Sequence, residues 1–451
     1  MVSITGLSGM PLGTQPEWQE ENTLKKSKKK RNRISLFGHF GQINFGNEST
    51  FQAILYHLRR HVPGAEMTCI CTYPDVTERT YNIDAVPMTG ILVKPQWLDG
   101  NPALRFLRKI VIGIPSELYR WLAAIKTLKG SWMLIVPGTG LLTDVCGLWG
   151  WGPYTLFKWS LVAKLCRCKL LFVSVGAGPL HSALGKYFVK SALSLADFRS
   201  YRDKTSLECL KQIGFETNRD RIYPDLAFSL PEAMLPSDND EKERRLVVGM
   251  GLMEHHGKPG VDSPGNAIYL AYLENLVVFL RWLLAREYNA RLLIGDVGDE
   301  HVTEEFKSLL KERSLTYDKT RIIDEPISSV QQLLSQLVAT DIVVATRFHN
   351  VLLALLLNKP VIAISFHHKC TSLMSEMGLS QYCHDINQMD AGRLIEQFQD
   401  VERNVEKLKL AIRQRVEQSR KALEEQYKLI FKDVAGDVAP VSAEGASDDP
   451  R

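Results

Sequence analysis

Apolar residues in this chain gather into two kinds of segment that alternate along its length. Short continuous runs such as "RISLFG" (33–38), "EMTCICTYP" (66–74), "WMLIVPGTG" (132–140), "KLLFVSVGAGP" (169–179) and "FRSYRD" (198–203) read as buried strands. "RIYPDLAFSL" (221–230) closes this first series. Between them, "ESTFQAILYHLRRHV" (48–62), "YTLFKWSLVAKLCR" (154–167), "YFVKSALSLA" (187–196) and "KTSLECLKQIG" (204–214) space their apolar residues three and four apart, the period of an amphipathic helix. A second series opens at "LVVGMGLM" (246–253). It continues through "ARLLIGD" (290–296), "TRIID" (320–324), "DIVVAT" (341–346) and "PVIAISF" (360–366), again with helical stretches between. Strands joined through helices need crossover connections, so each series predicts a parallel sheet covered on both faces.

This pattern divides the chain. Residues 33–235 and 246–390 each predict a Rossmann-like doubly wound α/β domain, and 236–245, polar and charge-rich, predicts the linker. Residues 391–434 keep apolar positions at Leu394, Phe398, Val401, Val405, Leu408, Ile412 and Val416, which predicts surface helices bridging the domains. Residues 1–32 and 435–451 carry no such pattern and are expected to be disordered. Two domains of this kind turn the carboxyl ends of their sheets toward a shared cleft, where ligands bind.

Composition narrows the classes of function. A net charge of +4 over 451 residues gives no nucleic-acid signature, and much of the excess sits in "KKSKKKRNR" (25–33). That cluster is expected to help attachment to an anionic membrane or an acidic glycan carrier. No apolar stretch follows it in the manner of a signal peptide, and no transmembrane span is expected. The eight cysteines lack metal-knuckle spacing and read as buried thiols of a cytoplasmic protein; no metal site is expected.

Unusual residues concentrate where strands end. Gly38, Gly41 and Gly46 line the loop after the first strand, ahead of a helix opened by Glu48 or Ser49. Gly138 and Gly140 follow a second strand, and Gly176 and Gly178 a third. Three glycine-lined strand ends in one domain predict a bare backbone surface facing a ligand. "SYRDKTS" (200–206) ends a further strand with Arg202 and Asp203. In the second domain Arg347 ends a buried strand, and His349, two residues on, begins the next helix. Arginine offers a planar fork to a carboxylate or phosphate. A histidine at a helix N-terminus stays neutral and available as a base. His367, His368 and Lys369 end the neighbouring strand.

In order and spacing these segments resemble the polysaccharide pyruvyl transferases. The resemblance rests on "GQINFGNES" (41–49), "PGTGLLTD" (137–144), "SVGAGP" (174–179), "YRDKTS" (201–206), "YPDLAFSL" (223–230) and "TRFHNVLLALLLNKPVIAISFHHK" (346–369). Asn47 stands where the family more often has Asp, and Phe366 where it has Tyr. The resemblance implies the two-domain architecture of GT-B glycosyltransferases and transfer of the pyruvyl group of phosphoenolpyruvate, as a ketal, to a sugar. Phosphoenolpyruvate is a co-substrate, and no cofactor is implied. On that reading Arg202, Arg347 and Lys369 hold the donor and His349 moves protons, with His367 and His368 as rivals. The acceptor, a sugar possibly linked to a lipid or nucleotide, would lie along Gly38, Asn44, Gly46, Asn47, Glu48, Gly138, Gly140, Gly176 and Gly178. A glycosyltransferase using a nucleotide sugar and a non-catalytic glycan- or membrane-associated protein are the alternatives.

Overall fold

In the computed structural model the described residues are 33–41, 44–89, 113–145, 147–149, 152–237, 245–255, 264–313, 318 and 320–435. The two terminal segments expected to be disordered and most of the expected linker lie outside them.

Seven parallel strands form the first sheet: β1 (Arg33–Phe37), β2 (Glu66–Cys71), β3 (Asp84–Pro87), β4 (Ser131–Pro137), β5 (Lys169–Val175), β6 (Phe198–Tyr201) and β7 (Arg221–Ile222). Their spatial order is β3-β2-β1-β4-β5-β6-β7. The second sheet holds β8 (Val247–Leu252), β9 (Asn289–Ile294), β10 (Ile322–Ile323), β11 (Ile342–Ala345), β12 (Val361–Ser365) and β13 (Cys383–Asp385), in the order β10-β9-β8-β11-β12-β13. In both sheets the order reverses beside the first strand, so each has a switch point where crossover helices part and leave a crevice.

The helices of the first domain are α1 (Phe45–His61), α2 (Pro74–Tyr81), α3 (Ile114–Leu128), α4 (Pro153–Leu165), α5 (Ala183–Ser194) and α6 (Lys204–Gln212). Those of the second are α7 (Pro264–Ala285), α8 (Glu300–Glu312), α9 (Val330–Val338), α10 (Phe348–Leu356) and α11 (His368–Glu376). Side-chain caps fix several starts: Ser182 accepts from the Gly185 N–H, Asp203 from Ser206 and Ser329 from Gln332. Helix α1 begins earlier than the apolar period implies. Asn44 caps it by accepting from the Asn47 N–H, which places Gly46, Asn47 and Glu48 in the first helical turn rather than in a loop. The expected strand 221–230 is also shorter, giving way after Ile222 to a 3-10 turn at Leu226–Ser229.

Two apolar clusters hold the molecule. One fills the far face of the first sheet under α3, α4 and α5, with Leu134, Trp159, Leu170 and Val189 fully or nearly buried. The other runs without a break from α1 across the interface into the second domain, through Phe51, Phe228, Leu352 and Tyr427. Each such side chain contributes about 1.5–3 kcal/mol, so the interface is held as a core is. Helix α7 is, by length and composition, long and apolar enough to cross a membrane, where the sequence led to no expected span. Here one face, with Tyr272, Leu276, Phe279 and Leu283, is buried in the second domain's core.

Helices α12 (Ala391–Arg403) and α13 (Val405–Ala435) end the described chain. Helix α13 crosses back to the first domain. Its Gln426 donates to Ser174 Oγ at 3.0 Å and accepts from Ser200 Oγ at 2.7 Å, while Tyr427 shares a 2.8 Å hydrogen bond with Ser229.

Candidate active site

The carboxyl ends of both sheets converge on one small volume. From the second domain, β11 ends at Ala345 and α10 begins at Phe348, so Arg347 and His349 flank the turn between them. The next strand, β12, delivers His367, His368 and Lys369 in the same way. Facing them are the loop before α1, the ends of β4 and β5, and Arg202 at the end of β6.

Contact between the halves is intimate. The His349 ring lies against Gly46, so closely that a Cβ on residue 46 would fall within the ring. Lys369 Nζ reaches Gly140, 3.1 Å from where a Cβ would stand, and the Arg202 guanidinium lies over Gly176, 2.8 Å from such an atom. These three glycines are sockets for side chains. The loop before α1 is itself tied across the cleft. Asn44 donates to Asp296 Oδ2 at 2.8 Å, and the Phe45 N–H donates to the Gly295 carbonyl at 3.2 Å.

Arg202 is buried between two carboxylates, Asp203 at 3.2 Å and Asp225 at 3.3 Å, with its guanidinium 4.8 Å from the centroid of the Phe348 ring. Its Nη2 has no partner and no solvent. The same holds for His349 Nε2. A buried donor or acceptor left unmet costs about 1–3 kcal/mol, so these two atoms mark a place where a polar ligand would restore what folding removed.

Charge tunes the same groups. Burial lowers the His349 pKa to about 4; Asp225 opposes this, and the cations Arg202, Lys369 and Arg347 add to it. The ring is therefore neutral near pH 7. Burial, and next the Arg202 charge, bring Lys369 down to about 8. His367 also falls to about 4, through burial and then the charges of Lys369 and His368. It accepts weakly from the Lys369 N–H at 3.4 Å as the cap of α11. Burial lowers His368 too, and its Nε2 is a third buried nitrogen without a partner.

Other sequence candidates stand elsewhere. The fork of Arg347 is already occupied: Nε donates to Asp299 Oδ2 at 2.7 Å and Nη2 to Oδ1 at 2.6 Å, and Asp299 is fully buried. Burial works against the Arg347 charge, but the Asp299 pair outweighs it and raises its pKa. Glu48 accepts from the Gly41 N–H at 2.8 Å and the Tyr81 hydroxyl at 2.5 Å, and burial raises its pKa to about 7. It braces the loop. Gly38 packs under Phe40, Gly138 against Leu226, Ser174 and Thr50, and Gly178 against Thr143, so these three serve packing. Two carboxylates that matter were not assigned a role from sequence. Asp225 lies in the quoted "YPDLAFSL", whereas Asp299 sits outside every recognisable motif. Among the described residues no group of three His, Cys, Asp or Glu could hold a metal ion.

Two parallel-sheet Rossmann-like domains around a polar cleft, with a final helix returning to the first, make up the GT-B fold. Solved structures agree with that fold. UDP-GlcNAc 2-epimerase from Neisseria meningitidis, bound to UDP-GlcNAc, superposes with a TM-score of 0.55 at 11% identity, covering 90% of this chain and 100% of the epimerase. Anabaena HepE in complex with UDP gives 0.55 at 12% identity over the same shares, and a glycosyltransferase from Rickettsia africae gives 0.52 at 12%, over 90% and 99%. Within this class the sequence is more specific. The family model for polysaccharide pyruvyl transferases matches residues 44–368, and the chain belongs to that family. It is 25% identical over 283 residues to the amylovoran biosynthesis protein AmsJ of Erwinia amylovora, a match spanning 60% of this chain and 66% of AmsJ.

Proposed function

We propose that this chain transfers the pyruvyl group of phosphoenolpyruvate to two hydroxyls of one sugar, in a glycan or glycan precursor, as a cyclic ketal. The observation that carries the reading is the convergence of Arg202, Lys369 and His349 in one enclosed place, with Arg202 Nη2 and His349 Nε2 lacking partners. Phosphoenolpyruvate carries a carboxylate and a phosphate. The unpartnered Nη2 of Arg202 and the Lys369 ammonium would meet these two anions. Arg347, with Nε and Nη2 given to Asp299, contributes its charge and its outer nitrogen.

Atoms and protons balance without a further reactant. Both sugar oxygens bond to C2 of the enolpyruvyl group, and the bond from C2 to the phosphate oxygen breaks. One hydroxyl proton ends on the methylene carbon, which becomes a methyl group, and the other leaves with inorganic phosphate. His349, neutral at pH 7, takes the proton from the first hydroxyl, and the imidazolium so formed protonates the methylene carbon. The acceptor approaches along the first domain beside Gly46 and Asn47, where the N-terminus of α1 suits an anionic link such as a pyrophosphate to lipid or nucleotide.

Phosphate release and product mass test the proposal when the protein is incubated with phosphoenolpyruvate and a panel of glycan acceptors. Acceptor-dependent phosphate, with the mass gain of a pyruvate ketal, is the expected result. The UDP-bound structural neighbours motivate one rival, transfer from a nucleotide sugar. Turnover of UDP-sugars with none of phosphoenolpyruvate would replace the proposal with that reading.

A further inference from the structure

The far face of the first sheet carries an apolar surface that the cleft does not use. On α3 the residues Ile114, Leu118, Tyr119 and Leu122 are 62%, 64%, 71% and 60% exposed, beyond the part of the helix that Ala124 and Leu128 bury. Beside them Trp149 is 64% exposed, and on α5 Leu184 and Tyr187 are 55% and 59% exposed. Ring contacts join these into one band. Trp149 stacks obliquely on Tyr154 at 4.8 Å, Tyr154 meets Phe188 at 5.5 Å, and Phe188 meets Tyr187 at 5.6 Å. Tyr154 also accepts from Trp121 Nε1 of α3 at 3.1 Å.

Position gives the band a direction. A helix between parallel strands runs back from the carboxyl edge of the sheet to the amino edge. Ile114, Leu118 and Leu184 lie at the beginnings of their helices, and Trp149 in the loop before α4. The band therefore borders the edge of the sheet that opens on the cleft.

Charge says what would cover it. Residues 113–194 hold nine Lys and Arg (Arg120, Lys126, Lys129, Lys158, Lys164, Arg167, Lys169, Lys186 and Lys190) against two acids, Glu117 and Asp144. Both acids are engaged internally. Glu117 binds Arg120, Lys158 and Tyr154, and Asp144 accepts from the N–H groups of His181 and Ser182. Lys126, Lys129 and Arg167 are exposed at the far ends of α3 and α4, while Lys186 and Lys190 stand beside Tyr187 on α5. Aliphatic and aromatic residues at an interface, on helices where cations outnumber carboxylates, match the boundary of an anionic bilayer, with Glu216 beside Tyr187 and Lys190 an exposed acid near the band.

We propose that this face of the first domain docks on an anionic phospholipid membrane, setting the mouth of the cleft at the lipid surface. This contact is separate from residues 25–33, and it stands on surface chemistry rather than on the reaction. The test is flotation of the full chain with vesicles of phosphatidylcholine, with and without phosphatidylglycerol. Three chains are compared: wild type, Leu118→Glu with Leu122→Glu, and a chain whose Lys25, Lys26, Lys28, Lys29 and Lys30 are replaced by Gln. Circular dichroism confirms that each is folded, and phosphate release with a soluble acceptor reads the reaction independently. Expected is binding that requires phosphatidylglycerol, falls at least tenfold in the leucine variant and stays within about threefold of wild type in the lysine variant, with turnover unchanged. Wild-type binding by the leucine variant would overturn the proposal, as would equal binding to vesicles without phosphatidylglycerol or no binding at all. A wild-type dimer that the leucine variant dissolves would assign the face to a second copy of the chain instead.

Discussion

The two domains meet the cleft in opposite ways. In the first, the opening turn of α1 and the ends of β4 and β5 present glycine: Gly46, Gly140 and Gly176. In the second, the turns after β11 and β12 project His349 and Lys369, which seat against Gly46 and Gly140. A glycine of the first domain is thus required by a side chain of the second. Gly176 is the instructive exception, because the group above it, Arg202, comes from its own sheet. Across the cleft the hollow and its occupant must be matched at a domain boundary; within a sheet one strand suffices.

The strongest way to break this comparison is to remove the occupant or fill the hollow. His349→Ala should lower turnover by about 10²- to 10⁴-fold while donor binding survives. Gly46→Ala should cost about 10²-fold because the added methyl displaces the ring. Steady-state kinetics at saturating donor compare the two. Wild-type turnover in Gly46→Ala would mean the His349 position is immaterial. If the loss fell on His367→Ala or His368→Ala and spared His349→Ala, the catalytic group would sit one strand over.

Arg202 probes the hollow that lies within one sheet. Its replacement by Ala should raise the donor's apparent Michaelis constant about thirtyfold, the equivalent of about 2 kcal/mol, and Lys should rescue little of it. Arg347 sharpens the contrast, since its fork serves a buried aspartate. Arg347→Ala strands Asp299 and should lower stability by about 3 kcal/mol, read from denaturant midpoints, with a smaller rise in the donor constant than Arg202→Ala gives. The reverse ranking would make Arg347 the principal donor clamp.

The mildest effect is on pH dependence. Lys369 has its pKa lowered to about 8, so its charge is present below that value and lost as pH rises through it. Donor kcat/KM should fall on the alkaline side near pH 8. Lys369→Arg keeps the charge and should move that fall to higher pH. An unmoved alkaline limb would assign it to another group.

Much of this architecture was legible because a parallel sheet writes itself as continuous apolar runs and its crossover helices as a period near 3.6. What escaped was short, locally capped or little buried. Strand β13 has three residues, β3 four and α2 eight, and the longer α3 buries only Ala124 and Leu128. The start of α1 was misplaced because one Asn44 side chain, not the apolar period, decides it. The candidate site was legible as residue types at strand ends, which is why His349, Arg202 and Lys369 stood out. Their partners were not. Asp299 lies 48 residues from Arg347 in sequence, and no local pattern links a carboxylate to an arginine at that distance. Nor can a glycine announce that the side chain it makes room for belongs to the other domain.

Helix α13 has a bearing on the order in which this protein matures. Every strand of the first sheet is synthesised before residue 223, yet Ser174 and Ser200 find their hydrogen-bond partner in Gln426, and His57 is stacked on Tyr427 at 4.0 Å. A ribosome releases those residues only after the strands of both sheets. Until it does, the first domain has a buried seam with no cover, a stage at which chaperones have something apolar to hold. A chain cut shortly before residue 420 would stay at that stage. The first sheet is completed by a helix made only after the whole second sheet, so the folding of the first domain waits on the second.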